Sequence, residues 1–201
     1  MKEHADDVTL HMLPPPFFDR PADVVARELI GVRLVRRLAD RTITTELTET
    51  EAYLGPHDLA CHAAKGRSKR NDALYGPPGT LYVYLCYGIH WMLNFVTGDE
   101  GYPAAVLARG STIASGPGRL TAALAIDRAL DGQPMGEQTG LWLERPDSLG
   151  PRRRVIATPR IGIDYAGPLW VKRKLRYVAD APARRADQLR KTRSAGRAAS
   201  D

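Results

Sequence analysis

Two glutamates and a tyrosine alternate near the end of a β-prone segment, residues 42–53. Alternate residues of a strand share a face, so Glu49, Glu51 and Tyr53 are predicted to lie together. The same face begins with Ile43, Thr45 and Leu47. These residues predict that the face is buried and that Glu51 and Tyr53 lie at the inner edge of a sheet. A carboxylate there is desolvated, so it is either a general base beside a pocket or half of a structural ion pair.

Tyrosines are concentrated in the next β-prone segment, residues 80–96, which Gly88 interrupts. Tyr82 and Tyr84 share one strand face, and Tyr87 stands beside the predicted turn. A tyrosine at a hairpin tip can enter a base stack as a wedge, or it can fold back on its own loop. The hairpin alone leaves both interpretations open.

Basic side chains are interleaved with aromatic ones between positions 53 and 102, where eight of the chain's 14 aromatic residues occur. The basic residues are Lys65, Arg67, Lys69 and Arg70. This mixture suits a site where bases stack beside neutralised phosphates, although clustered aromatic residues can also be ordinary core. His62 lies in the same segment, and Arg109 ends the next predicted strand. A lone histidine and a strand-end arginine are more often structural than catalytic.

Hydrophobic periodicity and turn residues predict the elements that must position these groups. A helix is predicted over residues 22–30, with Gly31 as its C-cap, and residues 54–78 are predicted to form a long loop. The other predicted elements are strands over 32–38, 42–53, 103–108, 141–144 and 155–157, a hairpin over 80–96, and a helix from Gly116 to about Leu130. A regular two-residue turn would place Tyr84 and Asn94 on opposite faces, so a shared pocket requires an irregular turn near Cys86–Gly88.

Composition excludes several classes of protein. The 201 residues are 43% apolar and 26% charged, which favours one folded domain over disorder. Cys61 and Cys86 form neither a metal cluster nor a disulfide framework, so we expect no metal and no cofactor. The sequence contains no run of about 18 apolar residues and no P-loop or GxGxxG motif. The acidic N-terminus lacks the apolar stretch of a secretion signal, and we therefore expect a cytoplasmic protein without membrane association.

Charge is unevenly distributed along the chain, whose net charge is +6. Residues 151–201 carry 14 Lys and Arg against 4 Asp and Glu, which leaves the first 150 residues with a net charge of −4. A cationic C-terminal region fits a polyanion such as nucleic acid, or it serves as a solubilising tail. Residues 181–201 are predicted to be a basic mobile tail, and residues 1–16 a loose leader.

Taken together, the motifs of this chain resemble those of the alkyladenine (3-methyladenine) DNA glycosylase family. The similarity runs from about Phe17 to Val178, and the order and spacing of the motifs are kept. The matching segments are Thr48–Pro56, Asp58 and His62, Gly79–Tyr84, Tyr87-Gly88, Met92–Asn94, Val106–Arg109, Gly116–Leu120 and Arg160–Ile163. The sequence departs from the family at Gly110, where alanine is expected, and at His90 and Trp91; these departures bear on base preference more than on the reaction.

The resemblance implies a mixed α/β fold. We expect a single compact domain over residues 17–180, with a curved, mostly antiparallel sheet, a projecting β-hairpin and flanking helices. The resemblance also implies that the partner is double-stranded DNA containing damaged purines. We expect the protein to act as a monomer and, in a prokaryote, to be associated with the nucleoid.

The resemblance further implies a catalytic centre and a device for extruding bases. Glu51 is implied to be the general base that activates a water molecule, and Arg109 to position that water and the nearby DNA backbone. Tyr87 is implied to fill the gap that an extruded base leaves in the duplex. Asn94 is implied to crowd the exocyclic amino group of guanine.

A base-binding pocket follows from the same resemblance. Tyr53, His62 and Tyr84 are implied to enclose the extruded base. Stacking there would offset the extrusion cost of a few kcal/mol, and electron-rich rings favour a cationic N-alkylated purine over a neutral one. The residues expected to contact the DNA backbone are Lys65, Arg67, Lys69, Arg70 and Arg160.

The chemistry of base removal agrees with these roles. Breaking the glycosidic bond leaves an electron-poor sugar, which an ionised Glu51 can stabilise while it deprotonates the attacking water. His62 is a candidate proton or hydrogen-bond donor to a departing neutral purine. No lysine occupies the matched core positions, so water is the predicted nucleophile and no strand cleavage is expected. The competing interpretation is a non-catalytic paralogue that recognises distorted DNA, which would not need a desolvated carboxylate.

Overall fold

Antiparallel strands and short helices make up the fold. The computed structural model describes residues 10–146 and 154–180. Its strands are β1 (Leu10–Met12), β2 (Arg33–Arg37), β3 (Thr42–Tyr53), β4 (Leu81–Cys86), β5 (His90–Thr97), β6 (Ala104–Ser111), β7 (Leu141–Pro146), β8 (Val155–Thr158) and β9 (Arg176–Ala179). Its α-helices are α1 (Ala22–Glu28), α2 (Pro117–Ala123) and α3 (Gly167–Lys172). Short 3-10 helices occupy Pro15–Phe17, His62–Lys65, Asp72–Tyr75, Arg128–Leu130 and Asp164–Ala166.

The strands join in one sheet with the order β1-β7-β2-β3-β6-β5-β4, while β9 pairs with both β3 and β8. Every described pairing between these strands is antiparallel. The predicted fold class is confirmed: a single compact mixed α/β domain with a curved antiparallel sheet and flanking helices. The strand predicted over residues 42–53 has the same bounds in the structure.

Strand β3 changes partners along its length. Its first half pairs with β2, and its second half lies between β6 and β9. The register with β6 shifts on both sides of Glu49, which breaks the strict alternation of faces. Leu47 and Ala52 therefore both lie in the main core, although five positions separate them. The prediction that Leu47 shares a face with Glu51 was wrong, and Glu51 lies on the opposite side of the sheet from that core.

The hairpin of β4 and β5 closes through a three-residue turn. Cys86 pairs with His90, so Tyr87, Gly88 and Ile89 form the connection. Tyr87 and Gly88 both have positive φ, at 51° and 71°. The irregular turn is thus confirmed. It pairs Asn94 with Tyr82, so Asn94 lies on the face that Tyr82 shares with Tyr84.

Helix α1 packs on the main-core face of the sheet. Pro21 precedes its first turn, and Gly31 follows it with a φ of 91° that favours glycine. Val25 and Ala26 are buried in the main core, and the Thr50 hydroxyl of β3 donates to the Ala26 carbonyl at 2.8 Å. Burying one such apolar side chain stabilises the fold by about 1.5–3 kcal/mol. The opposite face of the sheet is consequently left for other side chains.

Three expectations about the elements need correction. The helix predicted to reach Leu130 ends at Ala123, because Ala125 takes a φ of 48° and turns the chain so that Ile126 is buried. Strand β6 continues to Ser111, so Arg109 lies within a strand and not at its end. Residues 10–12 of the predicted leader pair with β7, so this part of the leader belongs to the sheet.

Some expectations concern residues that the structure leaves undescribed. The predicted basic tail, residues 181–201, lies outside the described residues, as does the leader up to residue 9. The domain bounds 17–180 remain a prediction. Within the described ranges, no helix is long and apolar enough to cross a membrane.

Candidate active site

One face of the sheet brings together the predicted site residues of four strands. Glu51 pairs with Leu107, Leu107 with Asn94, and Asn94 with Tyr82, in a continuous row across β3, β6, β5 and β4. Directly paired residues of antiparallel strands project from the same side of the sheet. Tyr53, Tyr84 and Arg109 each lie two positions along a strand from a member of this row, and they share its face. We call this side of the sheet the site face.

Glu51 is completely buried on the site face, with an exposed fraction of 0%. The Tyr53 hydroxyl donates a hydrogen bond to Oε2 at 2.9 Å, and the backbone N–H of Ile161 donates to Oε1 at 2.9 Å. Nη1 of Arg109 lies 3.4 Å from Oε1. Burial raises the pKa of Glu51 above its ordinary 4.5, and Arg109, the Ile161 amide and Tyr53 each oppose this shift. The carboxylate is therefore held on both oxygens and is a stronger base than an exposed glutamate.

Glu49 fixes Arg109 from the other side. Its Oε1 accepts hydrogen bonds from Nε of Arg109 at 2.8 Å and from Nε of Arg176 at 2.6 Å. Burial raises the pKa of Glu49, but the hydrogen bonds from Arg176 and Arg109 outweigh burial, and its pKa is lowered overall. Arg109 thus lies between two carboxylates and contacts both. Arg109 is therefore a fixed positive charge beside Glu51.

Tyr82 and Tyr84 of the site face form a contacting group with His62. The ring centroids of His62 and Tyr84 are 4.6 Å apart in an edge-on arrangement, and those of Tyr82 and Tyr84 are 5.2 Å apart and stacked. Nδ1 of His62 lies 2.8 Å from the Tyr82 hydroxyl. A planar base inserted between two rings would need about twice the usual stacking separation of roughly 3.5–4 Å. No base can therefore lie between His62 and Tyr84 as they stand, and the pair forms one wall.

Asn94 is buried in the row and cannot turn freely. Its Nδ2 donates to the Tyr82 carbonyl at 3.0 Å, and the residue is 4% exposed. Because β4 and β6 flank it, Asn94 lies between Tyr82 and Leu107 on the site face. The side-chain amide therefore presents a fixed polar group among aromatic and apolar neighbours.

Tyr87 stands apart from this group at the tip of the hairpin. It is 90% exposed, and the neighbouring Ile89 is 71% exposed. A tyrosine with positive φ is uncommon and costs energy, so the turn holds this side chain outward against its backbone preference. The structure thus favours the projecting interpretation of Tyr87 over a tyrosine folded back on its own loop.

The predicted DNA-backbone residues separate into two groups. Lys65, Arg67, Lys69 and Arg70 are exposed on the segment that follows His62. Arg67 pairs with Asp72 at 2.7 Å, and Nη2 of Arg70 donates to the Leu85 carbonyl at 3.2 Å. Their phosphate contacts remain a prediction.

Arg160 requires a correction. Its side chain is fully buried and donates two hydrogen bonds to Asp58, at 2.6 and 2.8 Å. A guanidinium in this position has no access to a phosphate, so the expected contact with the DNA backbone does not agree with the structure. The short motif Arg160–Ile163 carries no signal of this burial, and the spacing of Asp58 from His62 does not indicate its pairing with Arg160.

Two further residues of the site were missed by sequence reasoning. Arg176 lies on β9, a strand of four residues that was not predicted, and its Nε donates to Glu49. Tyr82 was assigned to the hairpin face, but its hydrogen bond to His62 depends on how the 54–78 segment folds back. Both omissions concern contacts across more than 15 positions of sequence, which strand periodicity cannot reveal.

Known proteins are similar to this chain over most of its length. A family model described as methylpurine-DNA glycosylase matches residues 16–115 and 110–182. A protein of Methanocella arvoryzae is 43% identical over 176 residues, covering 78% of this chain and 86% of that protein. A protein of Myxococcus xanthus is 43% identical over 189 residues, covering 86% and 96%. Both bear the name "Putative 3-methyladenine DNA glycosylase".

A mammalian protein is also similar. The mouse protein named "DNA-3-methyladenine glycosylase" is 40% identical over 202 aligned residues, which cover 85% of this chain and 60% of the mouse protein. These matches place the chain among the DNA glycosylases, which are enzymes of DNA repair. It belongs to the methylpurine-DNA glycosylase family.

Proposed function

We propose that the protein removes alkylated or deaminated purines from duplex DNA by hydrolysing the N-glycosidic bond, the first step of base excision repair. The proposed substrates are 3-methyladenine, 7-methylguanine, hypoxanthine and ethenoadenine. The observation that carries the proposal is the buried Glu51 carboxylate, which lies on the same sheet face as Tyr53, Tyr84 and Asn94 and contacts Arg109. A protein that only binds distorted DNA would not need a buried carboxylate there.

Glu51 is the general base in this proposal. Its raised pKa makes it a better proton acceptor at neutral pH than an ordinary glutamate, and Arg109 limits the shift so that the ionised form persists. As the purine leaves, positive charge develops at C1′ of the sugar, and the carboxylate stabilises it. Glu51 then takes a proton from the water that attacks C1′.

The extruded base stacks between Tyr53 and the wall that His62 and Tyr84 form. Stacking on aromatic side chains contributes about 1–3 kcal/mol per base, which offsets part of the cost of extrusion. Electron-rich ring faces attract a cationic N-alkylated purine by about 0.5–2 kcal/mol beyond stacking. Asn94, held by the Tyr82 carbonyl, crowds the exocyclic amino group of guanine and disfavours the normal base.

His62 acts as a neutral hydrogen-bond donor. The buried Tyr82 hydroxyl has no other acceptor among the described residues, so its proton is directed to Nδ1 of His62 at 2.8 Å. Nδ1 is then an acceptor, and the ring proton resides on Nε2. Burial lowers the pKa of His62, as do Arg70 and Lys65, which keeps the ring neutral near pH 7. Nε2–H can donate to a ring nitrogen or oxygen of a neutral leaving purine.

The exposed position of Tyr87 at the hairpin tip also supports the proposal. Filling the vacated space in the stack offsets part of the cost of extruding a base, and a projecting tyrosine can fill it. The exposed basic side chains at positions 65–70 follow His62 along the chain, and they can contact phosphates beside the extruded nucleotide.

Release of a free base tests the proposal. A duplex with one hypoxanthine is incubated with an excess of the protein, and the base and the DNA strand are analysed separately. We expect free hypoxanthine, a strand that breaks only after alkali, and no adduct after borohydride reduction, because no lysine is among the described contacts of Glu51. Specific binding of the duplex without any base release, on a panel that also carries 3-methyladenine and 7-methylguanine, would establish the non-catalytic alternative instead.

A further inference from the structure

An ion pair lies buried next to the site but takes no part in the proposed chemistry. The side chains of Asp58 and Arg160 have an exposed fraction of 0%. Nη1 of Arg160 donates to Oδ2 of Asp58 at 2.6 Å, and Nη2 donates to Oδ1 at 2.8 Å. The backbone N–H groups of Leu54 and Ala60 donate to the same carboxylate, each at 3.1 Å. Asp58 thereby ties Arg160 to the loop that follows β3.

Arg160 and its neighbour Ile161 make three contacts with residues 51–53. Nη1 of Arg160 also donates to the carbonyl of Ala52 at 2.8 Å. Its guanidinium carbon lies 4.8 Å from the centre of the Tyr53 ring. The next residue, Ile161, donates its backbone N–H to Oε1 of Glu51 at 2.9 Å. The backbone between Glu51 and Tyr53, the Tyr53 ring and the Glu51 carboxylate are therefore all fixed from one point.

Stability alone does not account for this pair. Removing two charges from water is costly, and apolar side chains of similar volume are often as stabilising as a buried pair, or more so. In addition, Nε of Arg160 is buried and has no hydrogen-bond partner in the described part of the chain. An unpaired buried donor destabilises the fold further. The value of the pair must therefore be sought in what it positions.

We propose that Asp58 and Arg160 are positioning residues of the glycosylase reaction, which hold the Ile161 N–H and the Tyr53 side chain against the Glu51 carboxylate. The proposal rests on the proposed role of Glu51 as general base. Neither residue is required to touch the base or the sugar. Their effect is to fix the orientation of the carboxylate and to keep two donors on its oxygens.

Loss of the pair has a definite consequence for the pH profile. Among the described residues, the charged and titratable groups that act on Glu51 include Tyr53 of β3, Arg109 of β6, Tyr84 of β4 and Arg160. Behind these, Glu49 of β3 accepts hydrogen bonds from Arg109 and from Arg176 of β9, and Asp58 pairs with Arg160. Without the pair, the Ile161 N–H and the Tyr53 hydroxyl are no longer held against Glu51, while burial remains; the loss of the Arg160 charge is offset in part by the loss of the Asp58 charge. The ionised form is then less favoured, so the pKa of Glu51 rises and the rate falls off at a higher pH.

The double variant Asp58→Asn with Arg160→Met tests the proposal. It removes both charges together, so no unpaired carboxylate is left buried. Its matched control is Arg20→Met with Glu28→Gln, which removes a half-buried pair at 3.1 Å between Arg20, which precedes helix α1, and Glu28, the last residue of that helix. Single-turnover release of hypoxanthine is measured from pH 4 to 9 with saturating enzyme, and urea unfolding is measured in parallel.

We expect the acid limb of the rate profile to move up by about one pH unit in the Asp58/Arg160 variant and to stay in place in the control. If the double variant does not fold, Arg160→Lys is measured in its place; it keeps the charge but not the two-pronged geometry, and a shift in the same direction is expected. An unmoved acid limb in a folded variant overturns the proposal and leaves the pair a structural one. If wild type lacks an acid limb, or Glu51→Gln retains it, the proposed role of Glu51 itself fails.

Discussion

Glu49 and Glu51 lie two positions apart on β3 and contact the same arginine, but their pKa values are displaced in opposite directions. Burial raises the pKa of both carboxyls, and only Glu49 receives hydrogen bonds from two guanidinium groups that outweigh it. Glu51 is more deeply buried, and Arg109 approaches it at a longer distance, 3.4 Å against 2.8 Å for Glu49. One glutamate is thereby suited to hold Arg109 and the other to accept a proton.

The two glutamates are expected to affect stability with opposite signs. The folded-state pKa of Glu49 is below its unfolded value, so its ionised form stabilises the fold above that value, and this is lost as the pH falls through the folded pKa. Glu49→Gln should lower the free energy of unfolding at pH 7 by about 1.5–3 kcal/mol, the range for hydrogen bonds to charged groups. The folded-state pKa of Glu51 is above its unfolded value, so its ionisation destabilises the fold as the pH rises through both values. Glu51→Gln should therefore be more stable than wild type at pH 7.

Urea unfolding at pH 7 and at pH 4 measures both effects. The difference for Glu51→Gln should shrink at pH 4, because the wild-type carboxyl becomes protonated. The difference for Glu49→Gln should shrink less, because the lowered pKa keeps the folded carboxyl ionised to a lower pH. A Glu51→Gln variant less stable than wild type at pH 7 would show that the ion pair of Glu51 with Arg109 outweighs burial, which is the opposite of the expected sign.

The hydrogen bond between Tyr82 and His62 predicts the tautomer of the histidine. In wild type at pH 7, nitrogen-15 NMR should report a neutral His62 with its proton on Nε2. Tyr82→Phe removes the donor to Nδ1, so the tautomers should mix, and hypoxanthine release should slow about tenfold, the equivalent of one hydrogen bond. Release of 7-methylguanine, which departs from a cationic nucleotide, should slow less. A wild-type His62 protonated on Nδ1, or charged at pH 7, would refute the assigned donor.

The exposure of Tyr87 at the hairpin tip predicts that its loss slows base release only when the damaged base is paired in a duplex. Tyr87→Ala should reduce release from a base-paired hypoxanthine by about 10–100-fold, because the few kcal/mol of unstacking are no longer offset. Release from an unpaired hypoxanthine in single-stranded DNA should change little, and Tyr87→Phe should keep most of the activity on duplex because it retains the ring. An equal loss on both substrates would assign Tyr87 to the pocket instead of the duplex gap.

Sequence reasoning predicted the long, strongly patterned elements and the residues they carry. Strand β3 follows from a local pattern, since alternation acts over a few positions. The irregular turn before His90 was predicted from the requirement that Tyr84 and Asn94 share a face, and the structure confirms it. The face of Glu51 was predicted for the wrong reason: strict alternation from Leu47 ignores the register shift at Glu49, which has no composition signal. Its burial was nevertheless predicted correctly.

Contacts between distant segments could not be predicted in this way. The pairing of Asp58 with Arg160 spans 102 positions, and that of Glu49 with Arg176 spans 127. Arg160 was expected on the surface because arginine is seldom fully buried unless it is paired, and its partner is visible only in the fold. The short strand β9, which brings Arg176 to the site, contains too few residues to show a period. Arg160 lies outside any helix or strand, in the segment that follows β8.

Single-turnover release of hypoxanthine by Glu51→Gln, compared with wild type across pH 4 to 9, tests the central claim most directly. Glutamine keeps the size and polarity of the side chain but cannot accept the proton, so the rate at pH 7 should fall by about 10²–10⁴-fold and the acid limb should disappear, while duplex affinity is retained. A variant that releases the base within tenfold of the wild-type rate, with the acid limb unchanged, would contradict the assignment of Glu51 as the general base.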